Sequence, residues 1–296
     1  MDGQPRQIRQ ILKGLAFLSP WLVGFLVFTL LPVVLSLYYS LCDYSLLQSP
    51  IFIGAENYID LWHDDVFWLS LKNTMLYAAM AIPAGLMLSL GLAMLLHVKI
   101  PGQALFRTII FLPSLVPIVA SAMLWMWMFN GQIGMVNVAL SKIGIRGPDW
   151  LSHAAWTKPA LAMMSLWGVG YAVVIYLAGL QDVPRELYEA AEIDGAGPWR
   201  RMWNVTLPVL SPVIFFNLIM SIIGVLQVFD IPYIMTPNGG PSRSAEFVAM
   251  YLNDNAFNYL RMGYASSIAW VMLLIILALT GLAFWSSKRW VHYQGK

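Results

Sequence analysis

The chain has 296 residues, of which 59% are hydrophobic and 11% are charged, and its formal net charge is +2. Soluble domains carry about 25% charged residues. A water-soluble fold of this length cannot bury so much apolar surface, so most of the chain must lie in lipid. The near-neutral net charge argues against nucleic acid as a partner. The single cysteine, Cys42, excludes an intramolecular disulfide and a cysteine metal cluster.

The first predicted element is an uncharged stretch from residue 15 to residue 41. It follows a basic segment, residues 1–14, that contains Arg6, Arg9 and Lys13. The stretch is longer than the about 7–15 residues of a signal-peptide core, and no small-residue cleavage pattern follows it closely. We therefore predict a retained membrane-spanning helix.

Uncharged runs of this kind recur along the chain, and each is close to the about 20 residues that a helix needs to cross a bilayer. The runs are continuous rather than alternating with period two, which favours helices over barrel strands. The sequence thus predicts an all-α polytopic membrane protein with one transmembrane domain, residues 15–290, and a short tail, 291–296. The predicted spans are residues 15–41, 73–96, 108–130, 159–181, 206–229 and 264–287. Kinks or breaks in helical regularity are expected at Pro32, Pro83, Pro113, Pro117 and Pro212.

The distribution of lysine and arginine predicts the orientation of these spans, because cytoplasmic loops carry the excess of basic residues. One side has Arg6, Arg9, Lys13, Lys99, Arg107, Arg185, Arg200, Arg201, Lys288, Arg289 and Lys296. The other side has Lys72, Lys142, Arg146, Lys158, Arg243 and Arg261. We therefore expect both termini to be cytoplasmic.

The spans contain no Asp, Glu, Lys, Arg or His, whereas ion pumps place such groups inside the membrane as relays. The chain also has no phosphate-binding loop, no H-E-x-x-H and no G-x-S-x-G motif. The adjacent trio His63, Asp64 and Asp65 is expected to be a solvated loop rather than a metal site. We expect no cofactor or metal on this chain and no catalytic residues, so any energy for uphill transport must come from a partner.

One polar segment, residues 182–205, lies between the fourth and fifth predicted spans on the cytoplasmic side. Asp182 is a candidate N-cap and Pro184 suits a first helical turn. Gly195 can end that helix in a left-handed turn, and Pro198 can begin another. The segment predicts two short helices, set at an angle, whose small residues allow a partner to approach closely.

This segment resembles the EAA signature of the permeases of ATP-binding-cassette (ABC) importers. The signature reads E-A-A, three residues, G, nine residues, I, one residue, L-P; the chain has Glu189-Ala190-Ala191, Gly195 and Leu207-Pro208, with Val205 in place of isoleucine. Three further segments, WLVGFLVFTLLPVVLSLYYSL, FIGAENYIDLW and VFDIPYIMTPNGGP, resemble the sugar-transporting branch, close to the maltose-type first permease. The likeness extends from about residue 12 to residue 290.

The resemblance implies a type I importer fold, like that of the maltose and methionine permeases, in a prokaryotic plasma membrane. It also implies a second permease, two ATPase subunits that would hold ATP and Mg²⁺, and an extracytoplasmic solute-binding protein.

In that family the two-helix segment docks on an ATPase, and Glu189 would contact a basic group while Gly195 sets the helix angle. The coupling residues implied are Glu189, Ala190, Ala191, Asp194, Gly195 and Pro208. The alternative is a solvated loop whose charges only keep it soluble.

A substrate pathway is expected along the spans that flank this segment, near the bilayer midplane. Aromatic rings suit the C–H face of a sugar, and neutral polar groups suit its hydroxyls. Helix packing is the alternative role for every one of these side chains. The candidates are Met164, Trp167, Gly168 and Tyr171 on the fourth span, and Asn217, Ser221, Gly224 and Val225 on the fifth.

The leading hypothesis is therefore a permease subunit for uptake of a carbohydrate or polyol, with the turn-rich segment from Thr236 to Pro241 as a docking site for the binding protein. An alternative is an ABC permease for a non-sugar solute such as a glycerol phosphoester, although the spans carry no Lys or Arg to bind an anion. A stand-alone secondary transporter would need internal repeats and usually a charged relay. An intramembrane enzyme would need a nucleophile and base pair that the sequence does not offer.

Overall fold

The computed structural model describes residues 4–98 and 101–292, with side chains from residue 13 onward. The chain is helical almost throughout, with one small hairpin, β1 (Cys42–Asp43) and β2 (Ile51–Phe52). The helices are α1 (Gln4–Phe25), α2 (Leu31–Ser40), α3 (Glu56–Trp62), α4 (Asp65–His97), α5 (Gln103–Phe111), α6 (Ile118–Met128), α7 (Met135–Lys142), α8 (Ala154–Trp167), α9 (Gly170–Gln181), α10 (Arg185–Ile193), α11 (Pro198–Arg201), α12 (Leu207–Leu226), α13 (Asp230–Met235), α14 (Val248–Asn253) and α15 (Met262–Ser287).

Within the described residues, four continuous helical segments are long and apolar enough to cross a membrane: Lys13–Ser40, Asp65–His97, Pro198–Met235 and Met262–Ser287. Two further candidates are bent pairs, Gln103–Leu115 with Ile118–Met128 and Ala154–Trp167 with Gly170–Gln181. Counting each bent pair as one span gives six. The chain therefore has the all-α polytopic fold that its composition predicts.

The third predicted span is not a single straight helix, because the two halves meet at 98°. Val116 is extended, with φ −72° and ψ 131°, as expected of a residue before proline. Pro117 is also extended, with ψ 136°, and α6 begins directly after it. The prolines thus end one helix and start another, so that of the predicted kink or break in regularity this span has the break.

Two other prolines are preceded by a widened helical turn rather than a break. Residues Leu26–Leu30 and Met202–Thr206 are π-helical, and they end just before Pro32 and Pro208. A proline ring clashes with the carbonyl four residues earlier, and a π-turn shifts that carbonyl out of register. The first and fifth spans therefore stay continuous through their prolines.

The chain divides into two compact units, of which the first comprises the described residues up to Asp64 together with Leu252–Val271. Here Cys42 pairs with Phe52 across the hairpin, and the buried Asn57 donates hydrogen bonds of 2.9 Å to the carbonyls of Ser40 and Cys42. A β-carbon at Gly263 would lie 2.1 Å from the oxygen of Cys42, so only glycine allows this approach. The hairpin is thus held to the start of α15.

The second unit comprises residues 65–251, without 99–100, and residues 272–292. Its central helix is α4, which packs against α8, α9 and α12. Small residues line this packing: Ser89 and Ala93 on α4 are completely buried. Small side chains let membrane helices approach closely when lipid provides no hydrophobic drive for association.

Two glycines place α9 between its other neighbours. A β-carbon at Gly170 would lie 3.0 Å from the α-carbon of Phe111, and one at Gly179 would lie 2.8 Å from Cγ2 of Val213. The two glycines are nine residues apart, so they lie on opposite faces of the helix. The helix α9 is therefore in close contact with the end of α5 on one side and with α12 on the other.

Candidate functional site

The polar segment forms one short helix, α10, followed by a tight left-handed turn. The turn is closed by hydrogen bonds from the amide of Gly195 to the carbonyl of Glu192 (3.0 Å) and from the amide of Ala196 to that of Ala191 (2.8 Å). Gly195 has φ +72°, while a β-carbon added to it would meet no atom within 4 Å. The requirement for glycine here is therefore conformational rather than steric, as the sequence predicts.

Two details of the segment differ from the prediction. Asp182 is not the N-cap of α10, because Pro184 occupies that position with ψ 133° and Asp182 ends α9 instead. The second helix begins at Pro198 with Gly197 as its N-cap, but it is not separate. It continues through the π-turn into α12, because all residues from 198 to 226 keep helical geometry. The second predicted short helix is therefore the first turn of the fifth span.

Two side-chain contacts attach α10 to the beginning of that span. The hydroxyl of Tyr188 lies 2.9 Å from Oγ1 of Thr206, which is buried. Arg201 donates to the carboxylate of Glu192 in a salt bridge. Because α9 leads into α10 and α11 leads into α12, α10 is connected through the chain to both flanking spans.

The outer surface of α10 is open. Glu189, Ala190, Asp194 and Gly195 are exposed, and Ala191 is half-buried. A cleft of about 590 Å³ lies between α10 and the helix that follows, and it is lined by Leu187, Ala190, Ala191, Asp194, Ala196, Arg200, Arg201, Asn204 and Val205. Of the predicted coupling residues, Ala190, Ala191 and Asp194 line this cleft. Glu189 and Gly195 are exposed outside its lining, and Pro208 lies half-buried in α12.

Large apolar side chains are also exposed on this surface. The exposed fractions are 87% for Ile193, 74% for Trp199 and 63% for Trp203. Exposed apolar groups rimmed by polar residues are typical of interaction sites. The surface therefore has the small residues, charges and apolar anchors of a protein-docking site.

The predicted pathway face on the fourth span is divided by a 50° bend between α8 and α9. Met164 and Trp167 lie on α8, Gly168 ends it, and Tyr171 lies on α9. In the sequence their spacings of three, one and three residues predict a single helical face. That prediction is wrong, because the four residues do not share one continuous helix. Gly168 lies at the bend, where the helical hydrogen bonding is interrupted.

Burial separates the members of this face. Met164 is 4% exposed and belongs to the apolar core, whereas Tyr171 is 56% exposed and meets Phe111 edge-on with ring centroids 5.3 Å apart. Trp167 is half-buried and meets Trp125 edge-on at 6.2 Å. Tyr171 and Trp167 present ring surface, while Met164 fills the core.

On the fifth span the candidates also differ. Asn217 is 4% exposed, and its side-chain amide donates to the carbonyl of Val213 at 2.9 Å, within its own helix. Val225 packs against the apolar core. Ser221 is half-buried, and Gly224 is exposed with open space where a β-carbon would lie. Of the predicted face, Ser221 and Gly224 are the members open to a ligand.

A polar cluster at the opposite end of the same helices was missed by sequence reasoning. Lys158 donates to Oδ1 of Asn73 (3.1 Å) and to the carbonyl of Ser244 (2.8 Å). Asn73 donates to the carbonyls of Arg243 (2.8 Å) and Glu246 (3.2 Å). These bonds hold the turn-rich loop, residues 236–247, against α4 and α8.

The loop itself contains backbone that non-glycine residues rarely adopt. Asn238, Ser242 and Arg243 have φ values of 56°, 53° and 54°. Such conformations persist only where surrounding contacts hold them. The turn chemistry from Thr236 to Pro241 predicted a loop, but not its attachment.

The trio considered as a metal site is used in other contacts. The carboxylate of Asp64 accepts a hydrogen bond from the hydroxyl of Tyr264, and Nδ1 of His63 lies 2.8 Å from the carbonyl of Ile59. Within residues 4–98 and 101–292, no group of three His, Cys, Asp or Glu side chains is placed to hold a metal ion.

Comparison with known proteins gives one consistent family. Residues 81–292 match the sequence model of a protein family, the binding-protein-dependent transport system inner membrane component family. The probable ABC transporter permease protein YesP of Bacillus subtilis (strain 168) is 39% identical over 96% of this chain and 93% of its own length. The lactose transport system permease protein LacF of Rhizobium radiobacter is 36% identical over 93% and 94%.

A solved structure shows the same fold. It is a crystal structure of a bacterial alginate ABC transporter in complex with an alginate pentasaccharide-bound periplasmic protein, and one of its chains matches with a TM-score of 0.85 and 23% identity. The match covers 96% of each chain. The helical arrangement described above is therefore the fold of that transporter chain.

Proposed function

Because this chain belongs to the binding-protein-dependent transport system inner membrane component family, we propose that it forms half of an importer's pathway for a carbohydrate or polyol. It is a multi-pass membrane protein and a permease subunit of an ABC transporter rather than an enzyme. An extracytoplasmic binding protein delivers the solute, and partner ATPase subunits supply the energy. A second permease contributes the other half of the pathway.

The observation that carries this proposal is the open surface of α10 between two membrane spans. The helix is attached to the fifth span through Tyr188 and Glu192, while its outer face is free among the described residues. A rigid element held in this way converts displacement of a docked partner into rotation of the spans. The turn at Gly195 fixes the angle between α10 and the fifth span, so it sets the direction of that rotation.

The solute pathway then lies beside the two spans that move. The exposed ring of Tyr171 and the half-buried ring of Trp167 offer platforms for a sugar's C–H face. Ser221 supplies a hydroxyl that can donate and accept, and Gly224 leaves space on the fifth span. Met164, Asn217 and Val225 support these positions from the packed interior.

The excess of basic residues at the α10 end of the spans supports a cytoplasmic location for that end and for both termini, in a prokaryotic plasma membrane. The loop held by Lys158 then faces the outside. Its exposed residues Asn238 and Ser242 are positioned for contact with the binding protein.

Site-directed crosslinking tests the docking of α10. Cys42 is the single cysteine of the chain and is buried, so Cys42→Ser gives a background without cysteine. A cysteine at Ala190, on the open face, should crosslink to an ATPase subunit in the assembled complex. The matched control is a cysteine at Ser152, which is exposed in the loop before α8, at the other end of the fourth span. Crosslinking of Ser152→Cys to the ATPase, without crosslinking of Ala190→Cys, would reverse the proposed topology.

A further inference from the structure

Arg107, on α5, lies where two clefts of different character meet. One cleft, of about 480 Å³, is polar, and it is lined by His97, Gln103, Arg107, Gln181, Arg185 and Tyr188 together with Leu180 and Val183. The other, of about 300 Å³, is lined by apolar side chains of α5 and α9, with Arg107 and Gln181 at its polar end. Both clefts lie at the α10 end of the third and fourth spans.

The polar cleft carries positive charge without a balancing acid among the described residues that line it. Arg107 makes one hydrogen bond in the described part of the chain, from Nη2 to the carbonyl of Leu96 at 3.3 Å. Its Nε is buried without an acceptor. A guanidinium offers five donors, and a buried donor without a partner is destabilising. An oxyanion in this cleft would satisfy donors that the protein leaves unused.

Capping of α4 explains only part of this arrangement. The carbonyls at the end of α4 already accept from Gln103, whose Nε2 lies 2.6 Å from the oxygen of Leu96. A glutamine is therefore sufficient for the cap, and it does not require Arg107. Arg185, at the start of α10, lies in the same cleft and is exposed.

The apolar cleft continues from Arg107 along the surface of the spans. Ile110 and Phe111 form one wall, and Val174 and Leu177 form the other. Val174 is 49% exposed, and the neighbouring Ile109 on α5 is 55% exposed. Apolar groups exposed along a membrane span face acyl chains unless another helix covers them. The two clefts together match a molecule with an anionic head and an apolar chain.

We propose that an anionic phospholipid of the surrounding membrane binds here, with its phosphate at Arg107 and Arg185. An acyl chain lies between α5 and α9 from Gln181 to Val174, and it ends one turn before Tyr171, whose ring belongs to the proposed solute pathway. Basic pockets between spans at the cytoplasmic side are suited to such headgroups. Arg185 belongs to α10, so the bound headgroup connects the docking helix to the third span. This inference rests on the proposed cytoplasmic location of the α10 end, but it does not depend on the identity of the solute.

The test measures phosphatidylglycerol retained by the assembled transporter, using native mass spectrometry in detergent. The variants are Arg107→Gln with Arg185→Gln, and the matched control is Lys288→Gln with Arg289→Gln, which removes two exposed basic residues at the same end of the spans. Loss of two basic contacts near the surface corresponds to about 30-fold weaker binding. We expect this loss in the first variant and less than a fewfold change in the control.

A second variant separates a lipid from a free anion. Ala178→Trp places a large ring in the apolar cleft, so it should weaken retention of phosphatidylglycerol while leaving the basic residues in place. Competition by inorganic phosphate alone, with no effect of Ala178→Trp, would replace the lipid by a soluble anion. Equal retention of phosphatidylcholine and phosphatidylglycerol, or equal losses in the cleft variant and the control, would overturn the proposal. These measurements do not involve solute uptake, so failure of the lipid proposal is distinguishable from failure of the proposed function.

Discussion

Substitution of Gly195 provides the sharpest test of how α10 transmits motion. The residue has φ +72°, and a β-carbon there meets no atom within 4 Å, so a substitution changes only the backbone preference. A non-glycine residue pays about 1–2 kcal/mol for the left-handed conformation. That cost lowers the population of the native turn about 5- to 30-fold relative to competing conformations. A β-branched residue should be worse than alanine, because it rarely adopts this conformation.

The expected result for Gly195→Val is normal membrane insertion with impaired coupling. The purified complex should either lack the ATPase or hydrolyse ATP with little transport per ATP. Asparagine tolerates the left-handed region, so Gly195→Asn should retain most of the coupling. Gly197→Ala is the matched control, because Gly197 has φ −69° and equally open space.

The assay compares transport per ATP hydrolysed in proteoliposomes across these variants. The order expected is wild type and Gly197→Ala together, then Gly195→Asn, then Gly195→Ala, and Gly195→Val lowest. Coupling of Gly195→Val at the level of Gly197→Ala would refute the reasoning, because the left-handed turn would then be dispensable.

Three further substitutions test the packing and the pathway. Gly179→Val overlaps Val213, whose Cγ2 lies 2.8 Å from a β-carbon at that position, and overpacking of this kind costs about 1–3 kcal/mol. Thermal unfolding in detergent should show a lower melting temperature for this variant but not for the control Gly91→Ala, where the β-carbon meets open space. Equal melting temperatures of the two variants would contradict the prediction. Lys158→Met removes two hydrogen bonds and should increase hydrogen exchange in residues 236–247, so unchanged exchange would show that other contacts hold the loop. Trp167→Ala should weaken uptake while complex assembly stays normal, and unaltered uptake kinetics would remove this ring from the pathway.

The sequence predicted the class of fold because composition and run length are local properties of the chain. Continuous uncharged runs near 20 residues favour helices in lipid. The structure has a continuous helix over four of the six predicted runs and a bent helix pair over the other two. The turn at Gly195 was also predictable, because a glycine directly after the C-cap of a helix favours a left-handed stop.

The bends were less predictable, because they depend on neighbouring helices as well as on the sequence. Pro83 and Pro212 leave α4 and α12 continuous, whereas Pro113 and Pro117 accompany a 98° change of direction. A missing amide is tolerated where adjacent spans satisfy the freed carbonyl, and the sequence does not show which spans are adjacent. The bend at Gly168 divided the predicted pathway face for the same reason.

The attachment of the loop by Lys158 was hidden by sequence distance. Lys158 is more than 80 residues from both Asn73 and Ser244 in sequence. In the structure its Nζ lies 3.1 Å from Oδ1 of Asn73 and 2.8 Å from the carbonyl oxygen of Ser244. In the sequence, Lys158 is simply one basic residue at the edge of a span. Only the packing of α4 against α8 brings these groups together.

The most direct test of the central claim is solute uptake by proteoliposomes of defined composition. Vesicles that contain the chain, its second permease and the ATPase subunits should accumulate the solute only with the binding protein on one side and ATP on the other. Vesicles that contain the chain alone should accumulate none. Accumulation by the chain alone, without an ATPase subunit, would contradict its assignment as half of an ATP-driven pathway.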